Sequence, residues 1–197
     1  IVDGWLLTFT PRLPQPTLAV ALDIGTTTLV AALLDAATGE VLARSSALNP
    51  QVHYGDDVLT RISHVAGRPE RLQRLQQDLI ETMNALVQNV CAQANVTPEQ
   101  VLLAMCAGNT TMQHLLLAVD PAAIGLSPYV AALDTSFSVH ASLLGLRLHP
   151  QANVHTLPMI GGYVGGDTVA GMLATLQRPG AEPMLFIDIG TNGEMVL

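Results

Sequence analysis

The same four residues occur twice in this chain, as Asp23-Ile24-Gly25-Thr26 and as Asp188-Ile189-Gly190-Thr191, each time directly behind an apolar run. Those runs, Leu18 to Leu22 and Met184 to Ile187, have the length and composition of buried strands, so each aspartate stands where a strand enters a Gly/Thr turn. The residue types set the chemistry. A glycine without Cβ lets backbone N–H groups close on an anion, a threonine adds a hydroxyl donor, and an aspartate can hold a hydrated metal ion beside phosphate oxygens. The two copies together read as a phosphate clamp.

A further strand-to-turn candidate is Gly108-Asn109-Thr110-Thr111, behind the apolar stretch Val101 to Ala107 and ahead of a helical pattern from Met112 to Val119. In α/β sheets ligands collect at such carboxyl ends of strands. Asn109 and Thr110 are open to two roles, a ligand contact or a cap on the helix behind them. Gly161-Gly162-Tyr163-Val164-Gly165-Gly166-Asp167 then sets four glycines in six positions before a helical stretch from Thr168 to Gln177. Asp167, at or near the start of that helix, either caps its free N–H groups or faces a metal-bound water.

Positioning these groups requires a sheet and its covering helices. Thr27 to Leu34 is apolar and β-branched, Asp35 to Gly39 is a turn, and Glu40 to Ala47 returns as a strand, so the first clamp turn opens an antiparallel meander. A segment of turn formers, Asn49 to Asp57, leads into a short helix over Val58 to Ala66, with Val58, Ile62 and Val65 on one face. Glu70 to Gln93 is the longest helix, and Leu72, Leu75, Leu79, Met83, Leu86 and Val90 are its core stripe. Asp120 to Pro158 is the least regular part, with short strands expected near Tyr129 to Leu133 and Asn153 to Leu157 and a helix near Phe137 to Leu144. Arg178-Pro179-Gly180 ends the last helix before the second clamp strand.

Composition narrows the classes. With 49% hydrophobic and 12% charged residues in a chain of 197, a well-buried sheet is expected. The net charge is −8, and the eight cations are all arginine. The absence of lysine excludes a P-loop lysine, a Schiff-base lysine and a lysine-rich nucleic-acid footprint. Arg68, Arg71 and Arg74 are interleaved with or followed by Glu70, Asp78 and Glu81 and read as a solvated helix face. No apolar run approaches the roughly 18 residues of a membrane span. Cys91 and Cys106 lack metal-ligand spacing and read as core thiols in a reducing compartment, here the cytoplasm. The six histidines lack ligand spacing and are given solvent or core roles. Residues 1–16 read as the tail of an upstream domain and a Pro-rich linker, 17–180 as one domain, and 181–197 as the start of a second, both chain ends being expected to continue into a longer protein.

In this order the parts resemble the acetate and sugar kinase, Hsp70 and actin superfamily, whose fold is two ribonuclease-H-like domains with nucleotide between them. The wording is more particular: Asn49-Pro50-Gln51 with Gly55-Asp56-Asp57-Val58, Gly108-Asn109-Thr110-Thr111-Met112, Gly161 to Asp167, and Asp188 to Glu194 resemble the carboxy-terminal ATPase domain of the reductive activators of corrinoid proteins. The resemblance spans residues 17 to 197. It implies an α/β, ribonuclease-H-like domain with a mixed sheet, plus the first strand of a second such domain. It also implies ATP hydrolysis coupled to reduction of cob(II)alamin to cob(I)alamin, with a corrinoid protein of a methyltransferase system as partner, no nucleic acid, no membrane, and homodimerisation left open. By resemblance, Gly25, Thr26 and Thr27 hold the β and γ phosphates from one side and Gly190, Thr191, Asn192 and Gly193 from the other. Asp23 and Asp188 anchor Mg²⁺ through its waters, and Asp167 orients the attacking water. Asn109, with Gly165 and Gly166, is a further cofactor-binding candidate, and Glu194 ranks last because a residue one step into a strand often points away from its loop. The [2Fe–2S] cluster that delivers electrons in such activators needs four thiolates and is expected on a separate amino-terminal domain, since this chain has two cysteines far apart. A small-acid or sugar kinase on the same scaffold, and a non-enzymatic actin-like assembly module, are the competing readings.

Overall fold

A computed structural model describes residues 16–175, 184–189 and 193–197. The clamp aspartate Asp23 lies in the strand that organises the sheet. β1 (Leu18–Ile24), β2 (Thr28–Asp35) and β3 (Val41–Leu48) form the expected antiparallel meander, and β4 (Leu103–Gly108) joins the other edge of β1 in parallel. β6 (Asn153–Thr156) follows β4 in parallel and β5 (Ser138–His140) closes the edge antiparallel, giving the order β3-β2-β1-β4-β6-β5. This is the expected α/β architecture with a mixed sheet.

Strand alternation divides the sheet into two chemically different faces. Leu18, Val20, Leu22 and Ile24 of β1, with Leu29, Ala31 and Leu33 of β2, are buried on one face. That face is covered by α2 (Pro69–Gln93), whose stripe Leu72, Leu75, Leu79, Met83, Leu86 and Val90 is buried as the periodicity requires. Cys91 and Cys106 lie in the same core, and burial pushes their thiols up to about 11 and about 12. The other face of β1 presents Ala21 and then Asp23, on the side approached by α5 (Gly166–Thr175).

The helices α1 (Val58–Val65) and α3 (Thr110–Leu116) flank the carboxyl ends of β1 and β4. Each starts on a side-chain cap, Asp57 Oδ1 accepting from Thr60 N–H at 2.8 Å and Asn109 Oδ1 from Met112 N–H at 2.9 Å. A second, two-stranded sheet pairs β7 (Phe186–Ile189) with β8 (Gly193–Val196). Its first strand follows Met184 and its second carries Glu194, both as expected.

The irregular region departs from expectation in two places. No strand forms over Tyr129 to Leu133: Tyr129 has φ +63°, and the N–H groups of Ala132 and Leu133 donate to Nε2 of buried His114 at 3.2 and 3.3 Å. The ring's Nδ1 meets Thr110 O at 2.7 Å, so a neutral histidine takes the hydrogen bonds that a neighbouring strand would otherwise supply. The helix expected over Phe137 to Leu144 shrinks to α4 (Ala141–Leu144), because Ser138 to His140 pair with β6 and Gly145 in the left-handed region ends the turn. Arg68 and Arg71 donate to carbonyls of Ser63 and His64, and Arg74 pairs with Asp78 at 3.1 Å, a solvated surface as expected. Among the described residues no helix is long and apolar enough to cross a membrane.

Candidate active site

The turn after β1 is held from behind. Gly25 N–H donates to Thr28 O at 3.1 Å, and a Cβ at residue 25 would stand 2.5 Å from that oxygen, which is why glycine is required there. The Asn49 side-chain amide donates to Gly25 O at 2.8 Å, Asn49 N–H donates to Thr27 O at 2.8 Å, and Arg61 Nη2 donates to Thr26 O at 2.5 Å. The carbonyls of residues 25 to 27 therefore turn into the protein. A trans peptide places C=O and N–H on opposite sides, so the N–H groups of Thr26 and Thr27 turn outward. Thr26 Oγ1 accepts from Asn109 Nδ2 at 3.0 Å, which leaves the hydroxyl proton free to donate elsewhere. A turn with hidden carbonyls and outward N–H groups is an anion receptor.

Four carboxylates converge on the same end of the sheet. Asp23 leaves β1 opposite Ala107 of the parallel neighbour β4. Asp167 stands in the first turn of α5, with Oδ1 accepting from Thr168 N–H at 2.8 Å. The β7–β8 hairpin sets Asp188 directly across from Glu194, on one side of the pair. Surrounding protein raises the Asp23 pKa, and the charges of Asp167 and Asp188 raise it further. Burial raises Asp167 against the Thr168 N–H bond that lowers it, with Asp188 adding to the rise. Glu194 is raised by burial and then by Asp167 and Asp188. Among the described residues no arginine acts on any of the three, and the chain has no lysine.

Like charges placed directly opposite in a strand pair destabilise it. The cluster therefore has the chemistry of a cation site. Among the described residues no three acidic, histidine or cysteine side chains group closely enough to hold a metal ion, and an aquated ion is what more widely spaced carboxylates suit. Glu194, ranked last on the sequence, belongs with Asp188: cross-strand register turns it toward the acids rather than away.

The other sequence candidates divide by what they touch. Of the two roles left open for it, Asn109 takes the cap, its Oδ1 accepting at the start of α3, while its Nδ2 donates to Thr26 Oγ1. At Gly165 a Cβ would lie 2.6 Å from Thr110 N, and at Gly166 it would lie 3.0 Å from Leu157 Cβ. These glycines let the start of α5 press on the start of α3, which carries Asp167 up to the sheet. Gly193 lines a cavity of about 460 Å³ with Tyr163, Val164, Thr168 and Glu194, between α5 and the hairpin. Gly190, Thr191 and Asn192, like the linker at 1–15 and the helix stop at 178–180, lie outside the described residues.

Sequence reasoning missed the support behind the loop. Asn49 and Gln51 are fully buried, and Gln51 Nε2 donates to Leu75 O at 3.0 Å while its Oε1 faces Arg61. Arg61, also fully buried, was counted only as one of eight cations. A signal was available: it falls in the same helical stripe as Val58, Ile62 and Val65, where a solvent-seeking residue has no reason to be.

The corrinoid activation enzyme RamQ of Eubacterium limosum is 34% identical over 183 residues, covering 93% of this chain and 30% of its own length. A solved structure described as a reductive activator for corrinoid,iron-sulfur protein superposes with a TM-score of 0.88 at 39% identity, covering 93% of this chain and 29% of that one. The chain thus spans about a third of the length of the relatives it matches. The family described as RACo middle region matches residues 18–177, from the first strand of the sheet through the helix that carries Asp167. On that match the chain belongs to the RACo middle region family.

Proposed function

We propose that this segment binds and hydrolyses Mg²⁺-ATP within a reductive activator of corrinoid proteins, where hydrolysis drives reduction of cob(II)alamin to cob(I)alamin on a corrinoid partner of a methyltransferase system. The observation that carries the reading is an outward N–H turn, at Thr26 and Thr27, beside carboxylates whose charges raise one another's pKa. An anion and a cation are both called for at one place, and a metal–polyphosphate supplies both. RamQ and the solved reductive activator act on corrinoid proteins by their descriptions, which supports this reading over a small-acid or sugar kinase and over an actin-like assembly module.

In the proposed mechanism the N–H groups of Thr26 and Thr27 and the Thr26 hydroxyl grip phosphate oxygens from the β1 side, and Gly190, Thr191, Asn192 and Gly193 are assigned the remaining phosphate contacts. Asp23 and Asp188 would hold magnesium, which would supply charge to offset that of the phosphates. Asp167 has Oδ1 occupied by Thr168 N–H, so its other oxygen is the one available to orient a water. Its raised pKa moves the carboxylate toward the range useful for accepting a proton. Residues 181–197 are read as the start of a second ribonuclease-H-like domain. The hairpin's outer face, with Ile187, Ile189, Met195 and Leu197 exposed, supports that reading, since an apolar sheet face calls for a covering layer.

The cysteines do not fit an iron–sulfur cluster. Cys91 and Cys106 are buried in the hydrophobic core with their thiols held protonated, so no electron step is assigned to these residues. In the full-length protein, Asp23→Asn should abolish Mg²⁺-dependent phosphate release while leaving the circular dichroism spectrum and melting temperature near those of the parent. Phosphate release by the parent should rise when corrinoid protein is added. Undiminished hydrolysis by the variant would overturn the site assignment, and transfer of phosphate to an added acid or sugar would replace the activator with a kinase.

A further inference from the structure

Arg61 is a fully buried cation whose guanidinium makes no hydrogen bond to a carboxylate among the described residues. Nε donates to Gly55 O at 2.9 Å, Nη1 faces Gln51 Oε1 at 3.4 Å and Met112 Sδ at 3.3 Å, and Nη2 donates to Thr26 O at 2.5 Å. Asp56 and Asp57 reach it only through their fields, and burial lowers its pKa to about 10. A buried charge without an ion pair is costly to desolvate, and an all-apolar replacement of such a group is often more stable. Core packing therefore gives no reason for a charge at this position.

The element it touches gives one. Thr26 O belongs to the same peptide unit as Thr27 N–H, one of the outward donors. A cation on the carbonyl oxygen polarises that peptide and strengthens the donor at its far end. It also sets positive charge one peptide thickness behind the place where an anion would lie, shielded from water and salt by the fold. We propose that Arg61 is a positioning residue for the nucleotide's terminal phosphates, supplying fixed positive charge from behind the first loop. This rests on the phosphate reading of the loop.

The test uses the full-length protein and compares the affinities of Mg²⁺-ATP, Mg²⁺-ADP and AMP in the parent, Arg61→Lys, Arg61→Gln and Gln51→Glu. A buried charge acts more strongly on ligands with more phosphate charge near the loop. Arg61→Gln should therefore weaken ATP by about tenfold or more, ADP by less, and AMP by no more than about twofold. Arg61→Lys, which keeps the charge, should recover most of the ATP affinity. Gln51→Glu covers the case in which loss of the guanidinium unfolds the chain: it leaves the arginine in place and sets a carboxylate beside Nη1 while giving up the bond to Leu75 O, so the same ATP-over-AMP loss should appear when binding is read below the variant's own, lower melting temperature. Equal factors for all three nucleotides, or parental ATP affinity in Gln51→Glu, would overturn the proposal and leave Arg61 a structural bolt. Failure of the parent itself to bind ATP would instead overturn the phosphate reading on which it rests.

Discussion

Asn109 holds a helix with one end of its amide and a loop with the other. Its Oδ1 satisfies the Met112 N–H at the start of α3, and its Nδ2 fixes the Thr26 hydroxyl. The two functions separate by substitution. Asn109→Ala loses both, and should destabilise the protein by about 1 kcal/mol, the usual worth of a cap, as measured by urea unfolding. Asn109→Asp keeps the cap, because a carboxylate serves the same N–H, but sets negative charge beside the loop. It should leave stability near the parental value while weakening Mg²⁺-ATP binding, read by titration calorimetry. Equal nucleotide affinity in the aspartate variant would show that Asn109 only caps. Residues of this kind were legible in the sequence because strand, glycine, polar residue and helix follow in order. Asn49 and Gln51 were not, because their partners are chiefly backbone groups that no pattern of side chains reveals, and Arg61 showed only in its place on the buried stripe of α1.

Elements were legible wherever hydrophobic period and turn chemistry agreed, as in the β1–β3 meander and in α2. They were not where distant groups supplied the hydrogen bonds, as when His114 takes the N–H groups of Ala132 and Leu133 or β6 recruits Ser138 to His140 out of a helical pattern. The glycine-rich stretch before α5 shows the same division. Composition indicated close approach, and the fold specifies to what: the backbone of Asn109 and Thr110 against Gly165, rather than a ligand alone. Gly165→Ala should drive a methyl group into that backbone, tilt α5 away from β4 and carry Asp167 with it. The expected cost is about 1–3 kcal/mol by chemical denaturation, as for overpacked cores. A larger loss of ATP hydrolysis should accompany it. Gly161→Ala is the control, since a Cβ there meets nothing within 4 Å and should cost little. Matching losses in the two variants would refute the packing account of Gly165.

At the scale of the whole molecule the dominant feature is a charge of −8 with no lysine, part of it gathered where β1, α5 and the hairpin meet. Asp23, Asp167 and Glu194 have folded pKa values above their ordinary 3.8, 3.8 and 4.5. A raised carboxyl favours the protonated folded state, so its contribution to stability is complete below the ordinary value and is lost as pH rises through the folded one. Asp57 and Glu99 run the other way, their lowered values giving stability above 3.8 and 4.5. The net slope of the parent mixes both, and the cluster is isolated by difference. Asp188→Asn removes a charge that raises all three acids, so its melting temperature should fall less than the parent's between about pH 4 and pH 8. Mg²⁺ should act as a second neutraliser, raising the parent's melting temperature more at the alkaline end of that range than at the acid end, and raising the variant's less. Identical pH slopes in parent and Asp188→Asn would mean that the acids do not share a field. A Mg²⁺ effect of equal size at both ends would place the ion elsewhere on the acidic surface. The paired outcome, a flattened slope on losing one carboxylate and a flattened slope on adding the cation, is what the proposed metal–phosphate site at these four carboxylates requires.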